Sequence, residues 1–215
     1  MNRGSPLRDR EALLALYWSS GGPRWKNQGG WAENDPDLSA WHGVTVDDHG
    51  RVAGLDLSRN HLDGTIPAAL GGLSHLGYLR LSSNNLFGPI PATFGNLTGL
   101  NYLDLRSNKI NGSIPSDLGH LKELSKMDFS CNKIRGTIPK SLGGLDKLLC
   151  CWLEQNQIEG PIPAELANIP SLNDLDLADN LLPEGRLQGD PLSRWKEEAR
   201  NRLATQATAD GHGWG

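Results

Sequence analysis

The chain lacks the features that mark several large classes of protein. It has three cysteines, Cys131, Cys150 and Cys151. That odd number, with no framework spacing, argues against a disulfide-stapled scaffold. No stretch approaches the ~20 apolar residues that a membrane-spanning helix needs. Positive charge is not in excess: 21 Lys and Arg stand against 25 Asp and Glu, a formal charge of −4, so the basic stripe of a nucleic-acid binder is missing. The apolar run near the start, "ALLALYWSS", is broken by Tyr17, closely preceded by Asp9 and Glu11, and followed by no small-residue cleavage site. It makes a poor secretory signal. With the unpaired cysteines, this leads to the expectation of a cytoplasmic protein, the alternative being an extracellular or cell-surface one if the chain is a piece of something longer.

Chemistry is equally sparse. The six histidines show neither HExxH nor paired spacing, and there is no Gly-rich phosphate loop or Ser/His/Asp set. Cys150 and Cys151 are adjacent, so on a strand they point to opposite faces and cannot easily chelate one ion. Cys151 falls in an apolar column, whereas Cys150 faces outward. "DDHG" at Asp47 to Gly50 reads as a turn before a strand rather than a calcium loop. The expectation is a non-enzyme without metal or cofactor.

What is present is repetition. Asn60, Asn84, Asn108, Asn132, Asn156 and Asn180 are spaced by 24 residues. Gly64, Gly88, Gly112, Gly136 and Gly160 keep the same period, as do Pro67, Pro91, Pro115, Pro139 and Pro163. A fixed period of this size predicts a solenoid in which each unit buries its apolar face against its neighbours. Within a unit, leucine pairs such as Leu79 and Leu81 alternate with outward residues at period two, which predicts a short strand with one buried face. Copies then pair in parallel, one repeat apart. The ladder Asn is expected at the bend, its amide satisfying backbone groups of adjacent coils. Gly supplies a conformation or a close approach that a Cβ would block, and Pro ends backbone pairing. The following pairs, Leu70/Leu73, Phe94/Leu97, Leu118/Leu121, Leu142/Leu145 and Leu166/Ile169, return the chain through the core.

The pattern LxxLxLxxNxLxGxIPxxLGxL resembles the plant-type leucine-rich repeat, and "DREALLALYWSSGGPRW", Trp31 and "WHGVTVDDHGRV" resemble that family's N-terminal cap. The resemblance implies an α/β repeat fold: a right-handed leucine-rich repeat solenoid with a parallel concave β-sheet that binds proteins or peptides, capped by helices at both ends. The expected organisation is a helical, Trp-rich cap over residues 1–50, about six repeats over 51–182, and a C-terminal capping helix with a tail over 183–215. That last helix would begin at Asp190-Pro191 and carry Leu192, Trp195, Ala199 and Leu203 on one face. Secreted family members usually have cap cysteines where this chain has Ser39 and Val46, a departure that agrees with the cytoplasmic expectation. The sequons at Asn96 and Asn111 lie where the repeat itself supplies Asn, Gly, Ser and Thr.

The outward strand positions form columns. Tyr78 neighbours Tyr102, and Asp56, Arg80, Asp104, Asp128, Trp152 and Asp176 share one line. At about 4.8 Å per strand, six strands cover roughly 25 Å, the span of a small-protein contact. Tyr, Trp and Arg dominate binding hot spots. The candidate partner-binding set is therefore Tyr78, Arg80, Tyr102, Asp104, Arg106, Lys126, Asp128, Trp152 and Glu154. The function expected is a non-catalytic, monomeric protein- or peptide-binding module in recognition or signalling. The alternatives are a receptor-kinase ectodomain or a secreted inhibitor of a polysaccharide-degrading enzyme.

Overall fold

The computed structural model describes residues 5–31 and 36–183. The expected C-terminal capping helix lies outside the described residues. Helix α1 (Pro6–Ser19) opens the fold, with Ser5 as N-cap and Pro6 at its first turn, where a missing N–H costs nothing. Strands follow in chain order: β1 (Val44–Val46), β2 (Val52–Asp56), β3 (Asp63–Thr65), β4 (Tyr78–Arg80), β5 (Asn85–Gly88), β6 (Tyr102–Asp104), β7 (Lys109–Gly112), β8 (Lys126–Asp128), β9 (Lys133–Gly136), β10 (Cys150–Trp152), β11 (Gln157–Ile158) and β12 (Asp174–Asp176).

They form two sheets. The larger runs β1-β2-β4-β6-β8-β10-β12, and the smaller β11-β9-β7-β5-β3. Apart from the antiparallel β1–β2 pair, neighbours in the larger sheet are parallel and offset by one repeat, Leu79 pairing with Leu103 and Leu103 with Met127. The smaller sheet was not foreseen. The sequence reading had backbone pairing end at each Pro, and it missed that the two to four residues after each ladder Asn pair again with the neighbouring coil.

Each coil then passes through a five-residue 3₁₀ turn: Ala68–Gly72, Ala92–Asn96, Ser116–His120, Lys140–Gly144 and Ala164–Asn168. Leu70 and Phe94 in these turns, and Leu73 and Leu97 just after them, are fully buried. Two glycine roles are visible. Gly88 sits at φ +81°, a left-handed conformation that costs other residues free energy. Gly71 lies so close to the next coil that a Cβ there would overlap the carbonyl of Thr93, and Gly95 meets Asp117 in the same way.

The amide ladder runs along the bend. Asn84 Oδ1 accepts from the backbone N–H of Asn60 and Leu62, each at 3.0 Å, and its Nδ2 donates to the carbonyls of Leu57 and Leu81, each at 2.9 Å. Asn108, Asn132, Asn156 and Asn180 each accept from one backbone N–H, of Leu86, Ile110, Ile134 and Ile158, and donate from Nδ2 to a carbonyl of the preceding coil and to one of their own. Asn60 extends the ladder into the cap: its Oδ1 accepts from the N–H of Asn27 at 2.7 Å and its Nδ2 donates to the Asn27 carbonyl at 2.9 Å. Leaving one such buried backbone group unpaired would cost ~1–3 kcal/mol.

The cap itself is held differently. Tyr17, Trp25, Trp31 and Trp41 form a chain of ring contacts, with centroid separations of 5.2, 4.9 and 4.8 Å. The indole N–H groups of Trp25 and Trp31 donate to the carbonyls of Ser20 and His42 at 2.9 Å. Asp9, on α1, is fully buried. Its carboxylate accepts from Arg51 Nε at 2.8 Å, Arg51 Nη2 at 2.9 Å and the N–H of Val52 at 2.9 Å. This pair, with its lone pairs satisfied, bolts α1 onto the start of β2.

Candidate functional site

The open face of the larger sheet carries every side chain singled out as partner-binding, but it does not present them equally. On β4, Tyr78 lays its ring over Gly54, where a Cβ would fall inside the ring, and its hydroxyl lies 2.7 Å from Thr45 Oγ1. It seals the β1–β2 edge instead of stacking on Tyr102. Tyr102, half-buried, lies beneath the guanidinium of Arg80, 5.8 Å from ring centroid to Cζ. Burial, with Asp104 nearby, raises its phenol above the ordinary value.

The Asp column is largely structural. Asp104 and Asp128 are each only 5% exposed. Asp56, Asp104, Asp128 and Asp176 each use Oδ1 to accept the N–H two residues on, from Ser58, Arg106, Ser130 and Ala178, at 2.9–3.1 Å. That Asx turn lets the chain leave the strand toward the ladder Asn. Ser130 Oγ donates to Asp128 Oδ1 at 2.6 Å and Ser82 Oγ to Asp104 Oδ2 at 2.8 Å. Desolvation raises the Asp104 carboxyl above its usual range, although Ser82 opposes it. Both oxygens of Asp104 and Oδ1 of Asp128 thus already have partners in the chain.

Arg80 donates from Nη1 to Asp56 Oδ2 at 2.8 Å, with Asp104 Oδ2 3.9 Å from Nε. Arg106 and Lys126 are exposed, and Trp152 is half-exposed. The Trp152 indole donates to Asp174 Oδ2 at 2.8 Å, which fixes the ring on the surface. Glu154 is half-buried, and burial raises its carboxyl above the ordinary value. Burial, with Asp174 adjacent, also raises the Cys150 thiol, and burial pushes Cys151 up to about 12. All three cysteines are free thiols. Cys150 stays protonated at neutral pH and is a poor nucleophile.

At the "DDHG" turn, Asp47 Oδ1 accepts from the N–H of His49 at 2.8 Å and of Arg51 at 3.0 Å, while Oδ2 meets His75 Nδ1 at 2.7 Å. These bonds, the one to Arg51 foremost, lower its carboxyl to about 2. The remaining piece that sequence reasoning missed is the Asp9–Arg51 pair, whose members are 42 residues apart and belong to no repeat.

Comparison with known proteins places this geometry. Residues 79–134 match a family described as Leucine rich repeat, and residues 53–73 a second one of the same description. The fold and the periodic face thus define a leucine-rich repeat protein. It is of the plant type: the LRR ectodomain of the Arabidopsis thaliana membrane receptor kinase GASSHO1/SCHENGEN3 is 34% identical over 81% of this chain and 21% of its own, with a TM-score of 0.75. The ectodomain of the Arabidopsis receptor kinase HAESA is 34% identical over 84% of this chain and 30% of its own, at 0.73. A plant ice-binding protein is 31% identical over 84% of this chain and 58% of its own, at 0.75. The chain spans between about a fifth and three-fifths of the length of these structures. No curated protein sequence matches it. The matched families are repeat families and indicate no catalytic activity.

These neighbours overturn the cytoplasmic expectation, because receptor ectodomains are extracellular. The physical reason lies in the cap. The buried Asp9–Arg51 pair and the aromatic chain hold together the region where a disulfide was sought. Ser39 and Val46 therefore say nothing about redox compartment.

Proposed function

We propose that this chain is the ligand-recognition part of a receptor-type leucine-rich repeat protein, and that it takes a protein or peptide on the open face of its larger sheet. The observation that carries the proposal is Trp152. It is a large aromatic ring left half-exposed on a strand and held in place by Asp174, with Glu154 two residues on and Lys126 on the neighbouring strand. No packing need explains an indole there, and such fixed aromatics serve as binding anchors. Two neighbours support the ligand class, having been solved in complex with CASPARIAN STRIP INTEGRITY FACTOR 2 and with a peptide hormone ligand. The ice-binding neighbour shows that the fold alone does not choose a ligand.

The test is affinity capture with the folded chain, followed by titration of the captured protein or peptide against variants. Trp152→Ala or Tyr102→Ala should cost it ~1–3 kcal/mol, with the circular dichroism melt of the Trp152 variant unchanged. Lys140→Ala, at the 3₁₀ turn, should change neither. Wild-type binding by Trp152→Ala, together with loss of binding by Lys140→Ala, would mean that the wrong face has been chosen.

A further inference from the structure

The open face is electrically lopsided. On its first strands the charges are matched: Arg80 lies between Asp56 and Asp104, and Arg106 adds a second cation. On β8, β10, β12 and the residues just after them, Lys126 alone stands against Asp128, Glu154, Asp174 and Asp176. Among the described residues, none of these four carboxylates is in an ion pair. The strand register puts Trp152 directly between Asp128 and Asp176, with Asp174 diagonal to it. An aromatic ring is thus flanked by carboxylates at roughly 4.8 Å steps.

Within this patch Glu154 is the group left wanting. Its Oε2 is shut off from solvent and accepts no hydrogen bond among the described residues. The carboxylate's burial is only partly offset, by its own backbone N–H and the Ser130 hydroxyl, and a donor that a ligand brings to its exposed side would offset more of it.

We infer that the end of the face formed by Trp152, Glu154, Asp174 and Asp176 is a subsite for an arginine side chain of the bound protein or peptide. The inference rests on the reading of this face as a ligand surface. It commits to arginine for three reasons. Charge complementarity demands a cation. The planar guanidinium can lie on the Trp152 ring while its fork donates sideways to carboxylates, a combination that a compact ammonium does less well. A metal ion fits poorly: Oδ1 of Asp128 and of Asp176 is already bonded to backbone N–H groups, and among the described residues no set of three or more His, Cys, Asp or Glu is placed to hold one.

The test uses the full chain, isotope-labelled, and three probes of equal length: Gly-Arg-Gly-Arg-Gly, its lysine counterpart and its glutamate counterpart. The Trp152 indole N–H resonance, assigned with Trp152→Phe, reports occupancy. The arginine peptide should shift it saturably, the lysine peptide should bind several-fold more weakly, and the glutamate peptide should leave it in place. Glu154→Gln should weaken the arginine peptide about tenfold at an unchanged melting temperature. An equal response to arginine and glutamate peptides, no response to arginine, or wild-type binding by Glu154→Gln would overturn the subsite. A captured partner that tolerates Glu154→Gln and Asp176→Asn but is lost from Trp152→Ala would overturn the arginine subsite while the recognition face stands. A captured partner indifferent to all three variants would remove the face as well.

Discussion

The N-terminal cap and the repeat array solve the same problem, burying the open edge of a stack, by opposite means. In the array the coils reuse a small set of devices: a buried apolar pair on the strand, a ladder Asn that bonds backbone groups of two coils, an Asx turn at Asp56, Asp104, Asp128 and Asp176, and a tight glycine in the 3₁₀ turn, as at Gly71 and Gly95. In the cap nothing repeats. Among the described residues, one buried ion pair, a chain of edge-on and tilted rings and a handful of backbone bonds hold it. Stability in the array is spread over many copies, whereas in the cap it is concentrated in a few residues with no substitute. The two meet at Asn60, whose amide serves Asn27 on one side while its backbone N–H is served by Asn84 on the other.

The contrast can be broken most forcefully at Asp9. Asp9→Ala leaves the Arg51 guanidinium buried without its neutralising carboxylate, and the expected loss is about 3–5 kcal/mol in a denaturant melt. Hydrogen exchange in this variant should accelerate first in α1, β1 and β2, while β8 and β10 keep their protection, as nearest-neighbour coupling requires. Uniform acceleration along the chain would show that cap and array are one cooperative unit. Asn108→Leu probes the other side of the comparison. It removes one rung, and the expected loss is ~1–3 kcal/mol because the N–H of Leu86 and the carbonyls of Leu81 and Leu105 lose their partner. An unchanged melting temperature would mean that the ladder contributes nothing at that rung.

The smallest effect sharpens the boundary between the two regions. Asp47 joins the turn before β2 to His75 in the first repeat, and its folded carboxyl is lowered to about 2 from an ordinary 3.8. A depressed carboxyl contributes stability that is present above 3.8 and is lost as pH falls toward 2. The wild-type melting temperature should therefore drop more between pH 4 and pH 2 than that of Asp47→Asn, which keeps an acceptor oxygen but cannot titrate. Parallel curves would remove Asp47 from the acid response.

How much of this was legible in the sequence follows the same division. The array was legible because its period repeats each signal five or six times, so strand, bend and return path could be read from Leu79, Asn84, Gly88 and Phe94 alike. The cap was legible only in outline, as a helix followed by tryptophans. The Asp9–Arg51 pair joins residues with no period between them. The smaller sheet was missed because strands as short as Gln157–Ile158 show no alternation. On the open face the outward strand positions could be read from the alternation, but not how far each side chain is already engaged by the chain itself. Asp56, Asp104, Asp128 and Asp176 looked like a charge ladder, but an Asp column two residues ahead of a bend is also a turn signal. Gly54 opposite Tyr78 was the sign that this tyrosine covers backbone.

The glycines of the 3₁₀ turns bear on something other than packing. An arch takes its radius from the difference in thickness between the inner and outer edges of its blocks. Here the inner edge is spaced by hydrogen bonds between strands, and the back by how closely Gly71 can sit against Thr93 and Gly95 against Asp117. A methyl group at either position acts as a wedge and opens the array on one side. It would change the curvature offered to a ligand without altering any side chain that the ligand touches.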